Sequence, residues 1–214
     1  MRIIAIIPAY NEEKTIGGVL EVLGQVPRIE EVIVVNDGST DQTAQVVAQY
    51  SAVTLVNLDE NRGKGGAIQA GLDRSRADVV LFLDADLIGL RTDHVEQLLD
   101  PVTNNDTVMS IGLFENGRVA TDLAQKVAPY LSGQRAVRRD VLEAVDDLDI
   151  SRFGVEVAIT RLVEARNLPV REVFLDDLTH VTKEEKLGVF KGFAARMKMY
   201  WEIVRYYARI DSPK

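Results

Sequence analysis

The sequence predicts an α/β protein: a mostly parallel central sheet flanked by helices, with an amphipathic helix at its C-terminal end. Three observations carry this expectation. Short apolar runs rich in isoleucine and valine alternate with stretches whose apolar residues recur at helical spacing. Each of the first runs ends in a cluster of polar or turn-forming residues. One run, Val79-Val80-Leu81-Phe82-Leu83, leads straight into Asp84-Ala85-Asp86. Such an apolar run is a strand buried on both faces, and open α/β sheets bind ligands at the carboxyl ends of their strands. Two carboxylates one residue apart repel each other and are costly to desolvate. Their place at a strand end points to a hard divalent cation such as Mg²⁺ or Mn²⁺.

The first strand, residues 2–7, should stop at Pro8, with Asn11 capping a helix that carries Ile16, Val19, Leu20 and Leu23. A second strand over 31–35 runs into Asn36-Asp37-Gly38-Ser39-Thr40-Asp41, which opens a helix over 44–50. A third over 52–56 is followed by the glycine-rich loop Asn61-Arg62-Gly63-Lys64-Gly65-Gly66 and a helix over 67–75. The opening run is strand four. Repeated strand-helix units join into right-handed crossovers, so residues 8–12, 36–41, 61–66 and 84–86 should gather on one rim. The glycine loop lacks Walker A spacing, and no Gly-x-Gly-x-x-Gly follows strand one. Its glycines instead suit close approach of backbone to a ligand, with Lys64 as a point charge near a helix start.

Beyond Asp86 the pattern loosens. A strand over 106–111 leads into the polar loop from Gly112 to Arg118, a candidate lid, and then a helix over 119–128. In Leu131-Ser132-Gly133-Gln134-Arg135-Ala136-Val137-Arg138-Arg139, Gly133 and Arg135 are candidate site residues, because arginine grips phosphate or carboxylate through a planar fork. Arg138 and Arg139 suit a solvated helix start. Glu156 stands before a helix with Val157, Ile159, Leu162 and Val163 on its apolar side. It either favours the helix dipole or offers a carboxylate for acceptor hydroxyls. A strand over 170–175 precedes Asp176-Asp177-Leu178-Thr179-His180, while His94 reads as an ordinary residue of a surface helix. From residue 183 onward Leu187, Phe190, Phe193, Met197, Tyr200, Trp201 and Val204 form a stripe flanked by basic residues. That helix packs on the domain or on a second subunit, or lies on an anionic membrane surface. The expected division is a domain over 1–182 and a helical extension over 183–214.

Composition narrows the function classes. With 214 residues, 46% of them hydrophobic, the chain can build one large core. No apolar run approaches the roughly 20 residues that span a bilayer, and no leader pattern opens the sequence, so a cytoplasmic protein is expected, at the inner membrane surface if its acceptor is a lipid. Zero cysteines exclude thiolate sites and a cysteine nucleophile, and two histidines are too few for a three-histidine zinc site. A net charge of −8 disfavours nucleic acid as a partner.

As a set, Pro8-Ala9-Tyr10-Asn11-Glu12-Glu13, Val35-Asn36-Asp37-Gly38-Ser39-Thr40-Asp41 and Asp84-Ala85-Asp86 resemble the family 2 glycosyltransferases of the GT-A, Rossmann-like, fold. The resemblance covers the first half of the chain in order and spacing. It implies that Pro8, Ala9, Tyr10 and Glu12 line a nucleoside pocket, that Asp37 contacts the base, that Lys64 reaches the nucleotide and Asp84 the ribose or metal. Asp86 would hold Mg²⁺ or Mn²⁺ on the donor diphosphate, with His180 as second metal ligand. Asp86, Arg135 and Glu156 would serve catalysis, and Gly133 the donor sugar. The donor implied is a UDP-sugar and the acceptor carries phosphate or hydroxyl groups. The family's usual Glu-Asp acceptor pair is absent after Arg139, which favours an acceptor that is already ionised. Gly117-Arg118-Val119, Leu131-Ser132-Gly133, Gly154-Val155-Glu156 and His180 are similar to the glucosyl-3-phosphoglycerate synthases. That family has a threonine where this chain has Ala120. Polyprenyl-phosphate sugar transferases share much of the same plan. The rivals are a nucleotidyltransferase, which should show a glycine-rich loop after strand one, and a non-catalytic nucleotide-sugar-binding protein.

Overall fold

The computed structural model describes residues 1–114, 132–145 and 155–180, the side chain of His180 excepted. The expected lid from 115 on, the helix over 119–128, Gly154 and the C-terminal helix lie outside these residues.

Within Met1–Thr179, strand β1 (Ile3–Ala9) is followed by α1 (Ile16–Leu23), β2 (Glu31–Asp37), α2 (Thr43–Val47), β3 (Val53–Leu58), α3 (Gly63–Asp73) and β4 (Val79–Phe82). The short β5 (Leu87–Ile88), α4 (Thr92–Thr103), β6 (Met109–Phe114), β7 (Arg135–Arg138), α5 (Arg139–Glu143), α6 (Val155–Ala165), β8 (Val170–Leu175) and β9 (Thr179–His180) complete the described elements. Seven strands form one sheet in the order β3-β2-β1-β4-β7-β6-β8, and β5 pairs with β9 apart from it. Neighbours are parallel except where β7 runs antiparallel to both β4 and β6.

The apolar runs behave as two-faced strands. Along β1, Ile3, Ala5, Ile7 and Ala9 enter one core layer, packed with Ile16, Val19, Leu20 and Leu23 of α1 and Val95, Leu98 and Leu99 of α4. Ile4 and Ile6 enter the other, with Ala67, Ile68 and Leu72 of α3 and Val155, Ile159 and Val163 of α6. Strand alternation thus sends successive side chains of β1 to opposite layers. Gly71 lets α3 lie close to the sheet, since a Cβ there would stand 2.7 Å from the Ile6 side chain.

Several boundaries differ from expectation. β1 runs through Pro8 to Ala9. Its pairing with β4 ends at Ile6, so Pro8 lies beside β2 alone, where a missing donor is tolerated. Asn11 does not cap α1: it sits in the left-handed region at φ 57°, and the N-cap is Thr15. The glycine-rich segment is not a loop before its helix, because α3 begins at Gly63 and buries Gly65 and Gly66 in its first turn. His94 is no surface residue: it is wholly buried on α4.

Candidate active site

Register explains how the rim assembles. β1 and β4 are parallel with Ile6 beside Phe82 as the last pair. Pro8 and Asp84 therefore both lie two residues past that end of the ladder. β7 returns antiparallel with Arg135 beside Phe82, so the chain entering it, Ser132-Gly133-Gln134, crosses the same edge. Continuing that register sets Gly133 level with Asp84. A Cβ on Gly133 would lie 2.5 Å from Asp84 Oδ2 and 2.5 Å from Lys64 Nζ, so a side chain there would have to push the ion pair aside.

The site's charge centre is Lys64, in the first turn of α3. Its ammonium donates to Asp84 Oδ1 at 2.6 Å and meets Glu156 Oε1 at 2.6 Å. Burial opposes its charge, but the attraction and hydrogen bonds of Asp84 and Glu156 outweigh that and hold its pKa well above the usual lysine range. Gln134 donates its side-chain amide to Asp84 Oδ2 at 2.8 Å. Asp86, two residues on, is half-buried.

Arg135 is 1% exposed and points beneath α6. It donates Nε to the Ser132 carbonyl at 2.7 Å, and Nη1 to the Glu156 carbonyl at 3.0 Å and to Thr160 Oγ1 at 2.7 Å. Burial lowers its pKa to about 10, against the pull of Glu156 and Asp84; at neutral pH it remains a cation. Through the Glu156 carbonyl this buried guanidinium fixes the first turn of α6, and so the base of the Glu156 side chain, which is 11% exposed.

The nucleoside-side candidates share the opposite half of the rim. Asp37, 4% exposed, accepts the backbone N–H groups of Arg62 at 2.7 Å and Gly63 at 2.9 Å. A carboxylate at a helix start satisfies otherwise unpaired donors and matches the dipole, so Asp37 places α3 and with it Lys64. Gly38, at φ 67°, permits this approach: a Cβ would lie 2.8 Å from Asn61 N. The first two loops are zipped together, Thr40 N–H donating to Asn11 Oδ1 at 2.8 Å, Asn11 N–H to Ser39 Oγ at 3.0 Å and Glu12 N–H to Thr43 Oγ1 at 2.8 Å. Ala9 is buried at the end of β1, Pro8 and Glu12 are half-buried, and Tyr10 is exposed.

The structure thus brings Lys64, Asp84, Gly133 and Glu156 into one cluster and links Asp37 to it through α3. His180 lies in β9, its side chain outside the described residues. Gln134 is the residue that sequence reasoning missed, because nothing local distinguishes it from a surface glutamine; only the pairing of β7 with β4 sets it over Asp84. Asp93, His94 and Asp176 also converge, but Arg91 already bridges both acids, at 2.9 Å from Asp93 Oδ1 and from Asp176 Oδ1. His94 Nε2 lies 3.3 Å from the same Asp176 oxygen. This cluster ties the turn before β9 to the start of α4.

The sequence matches the family model for Glycosyl transferase family 2 over residues 4–151. It is 34% identical over 134 residues to a dolichyl-phosphate beta-glucosyltransferase of Trichomonas vaginalis, a match covering 56% of this chain and 40% of that protein. A 4,4'-diaponeurosporenoate glycosyltransferase of Staphylococcus aureus is 41% identical over 99 residues, covering 44% of this chain and 26% of its own. The chain therefore matches less than half the length of either relative. Among solved structures, glucosyl-3-phosphoglycerate synthase of Mycobacterium tuberculosis in complex with Mn²⁺, UDP-glucose and phosphoglyceric acid superposes with a TM-score of 0.68 at 26% identity, over 84% of this chain and 71% of that one. Its complex with Mn²⁺ and UDP-glucose gives a TM-score of 0.72 at 27% identity, with the same coverage. The likeness bears out the expected GT-A sheet.

Proposed function

Because the chain belongs to glycosyl transferase family 2, we propose that it moves a sugar from a nucleotide-diphosphate donor, UDP-linked, to an acceptor bearing phosphate or hydroxyl groups. The observation that carries this reading is Lys64, a cation held between Asp84 and Glu156 at the carboxyl rim of the parallel strands. A donor lying along Pro8, Ala9, Tyr10 and Glu12, with its diphosphate towards Asp84-Ala85-Asp86, would bring its sugar to Gly133 and Glu156.

Mg²⁺ or Mn²⁺ fits the residues present. By the family resemblance the metal role would belong to Asp86, with His180 supplying an imidazole; a carboxylate and an imidazole suit these ions. Bound there, the ion stabilises the charge that develops on the departing diphosphate. The chain's own residues do the rest. Lys64 contributes positive charge near the leaving group, Asp84 orients the nucleotide's ribose, and Arg135 acts through the backbone of Glu156. Glu156 positions sugar or acceptor hydroxyls.

For the acceptor, the phosphoglyceric acid bound by the mycobacterial synthase supports a small phosphate-bearing molecule. The name of the Trichomonas relative supports a second reading, a polyprenyl phosphate acceptor. Among the described residues no helix is long and apolar enough to cross a membrane. Incubation with UDP-glucose and Mn²⁺ should release UDP when 3-phosphoglycerate or liposomal polyprenyl phosphate is added, and the productive acceptor chooses between the two. Failure to release UDP with any acceptor, despite donor binding, would instead favour a non-catalytic binding protein. In Asp86→Ala, metal should no longer raise donor affinity; an undiminished metal effect would refute the assignment.

A further inference from the structure

We propose that Gln134 is a positioning residue of the donor site, orienting Asp84 from the side opposite Lys64. The inference rests on reading this rim as a nucleotide-sugar site. Asp84 is held through both oxygens by donors from different elements: Lys64 Nζ, in the first turn of α3, at 2.6 Å from Oδ1, and Gln134 Nε2, at the entry to β7, at 2.8 Å from Oδ2. One donor leaves a carboxylate able to swivel about its Cβ–Cγ bond; two donors on separate oxygens set its plane. The aim of Asp84 into the rim is therefore decided jointly by a helix and by an antiparallel strand.

The direction of the amide follows from chemistry. An ionised carboxylate offers only acceptors, so the NH₂ of Gln134 must face Asp84 and its carbonyl must face away. The amide oxygen lies 3.2 Å from Ser132 Oγ, a hydroxyl anchored 2.5 Å from the Gly112 carbonyl of β6. Gln134 is 1% exposed, so its amide is held out of bulk water. Its backbone N–H also faces Ser132 Oγ, at 3.3 Å, and the neighbouring Gly133 keeps the approach to Asp84 and Lys64 clear. Gln134 thus acts through Asp84, whose Oδ2 accepts its amide.

The test is calorimetric titration of UDP, in the presence of Mn²⁺, into the full chain and its variants. Loss of a charge-assisted hydrogen bond to Asp84 should weaken UDP binding roughly tenfold in Gln134→Met. In an Asp84→Ala background, which leaves no side-chain acceptor, the same substitution should cost less than about twofold, since its target is gone. Wild-type UDP affinity in a folded Gln134→Met protein would overturn the proposal. So would an equal loss in the Asp84→Ala background, which would assign the effect to packing. If Gln134→Met fails to fold by circular dichroism, Gln134→Glu, of the same shape, takes its place. It should also bind UDP more weakly because it sets a second acid against Asp84, and unchanged affinity there overturns the proposal equally. No UDP binding by the unsubstituted protein would overturn the donor reading itself, and this inference with it.

Discussion

Lys64→Met removes the ammonium that bridges the Asp84 and Glu156 carboxylates, and its cost can be worked from the geometry. Each contact is 2.6 Å, which at an effective dielectric of about 20 corresponds to roughly 6 kcal/mol of attraction per pair. Desolvating an ammonium and two carboxylates takes several kcal/mol per ion back. The side chains are 27%, 31% and 11% exposed for Lys64, Asp84 and Glu156, so water screens part of what remains. Breaking such a pair costs about 3–5 kcal/mol when fully buried; the lower end, about 3 kcal/mol, is expected here. Urea unfolding at neutral pH, with EDTA present so that no metal replaces the lost charge, measures it. The folded pKa of Lys64 is raised above its ordinary 10.5. Its stabilisation is therefore complete below that value and is lost only as pH rises through the higher folded value, so Lys64 remains fully stabilising between about pH 7 and 9. Adding Glu156→Gln to Lys64→Met should recover part of the stability by removing the exposed repulsion. A loss below about 1 kcal/mol, or no recovery in the double variant, would refute the coupling of the three charges.

Gly133→Ala should leave the sheet folded yet weaken UDP binding by about tenfold or more, since its Cβ would meet the Asp84 carboxylate at 2.5 Å; unchanged affinity by calorimetry would contradict the crowding. Asp37→Ala should cost about 2 kcal/mol through the lost bonds to Arg62 and Gly63, lowering the melting temperature by roughly 5 °C. Asp37→Asn, which keeps one acceptor, should lose less. At acid pH, the Arg91 guanidinium depresses the pKa of both Asp93 and Asp176 below the ordinary 3.8. The stability they contribute is present above that value and is lost as pH falls through their lower folded values. The gap in urea midpoint between wild type and Arg91→Met should accordingly narrow as pH drops below 3.8 and stay constant above it.

Much of this architecture is legible without coordinates, because its signals are local. Isoleucine and valine runs such as 3–7 and 31–35 read as strands buried on two faces, and turn clusters at their ends declare where the loops lie. Asp84-Ala85-Asp86 at a strand end, Lys64 near a helix start and Asp37 in a polar turn are likewise visible as candidates. Helix starts are less legible. The glycines at 63, 65 and 66 have low helix propensity, yet α3 begins among them because Asp37, distant in sequence, caps its first donors. Asn11 looks like a cap, but tertiary packing draws it to Thr40 instead.

The residue types at the rim, and hence the kind of chemistry, follow from composition and spacing along the chain. Their pairing does not. Gly133 stands against Asp84, Gln134 completes its hold, Arg135 turns under α6 instead of into the rim, and His94 is buried beside Asp176, all because β7 runs antiparallel between β4 and β6 and distant loops close on one another. Register across strands is a property of the assembled sheet: a shift of one residue would exchange the faces of Gln134 and Arg135 without altering any local signal.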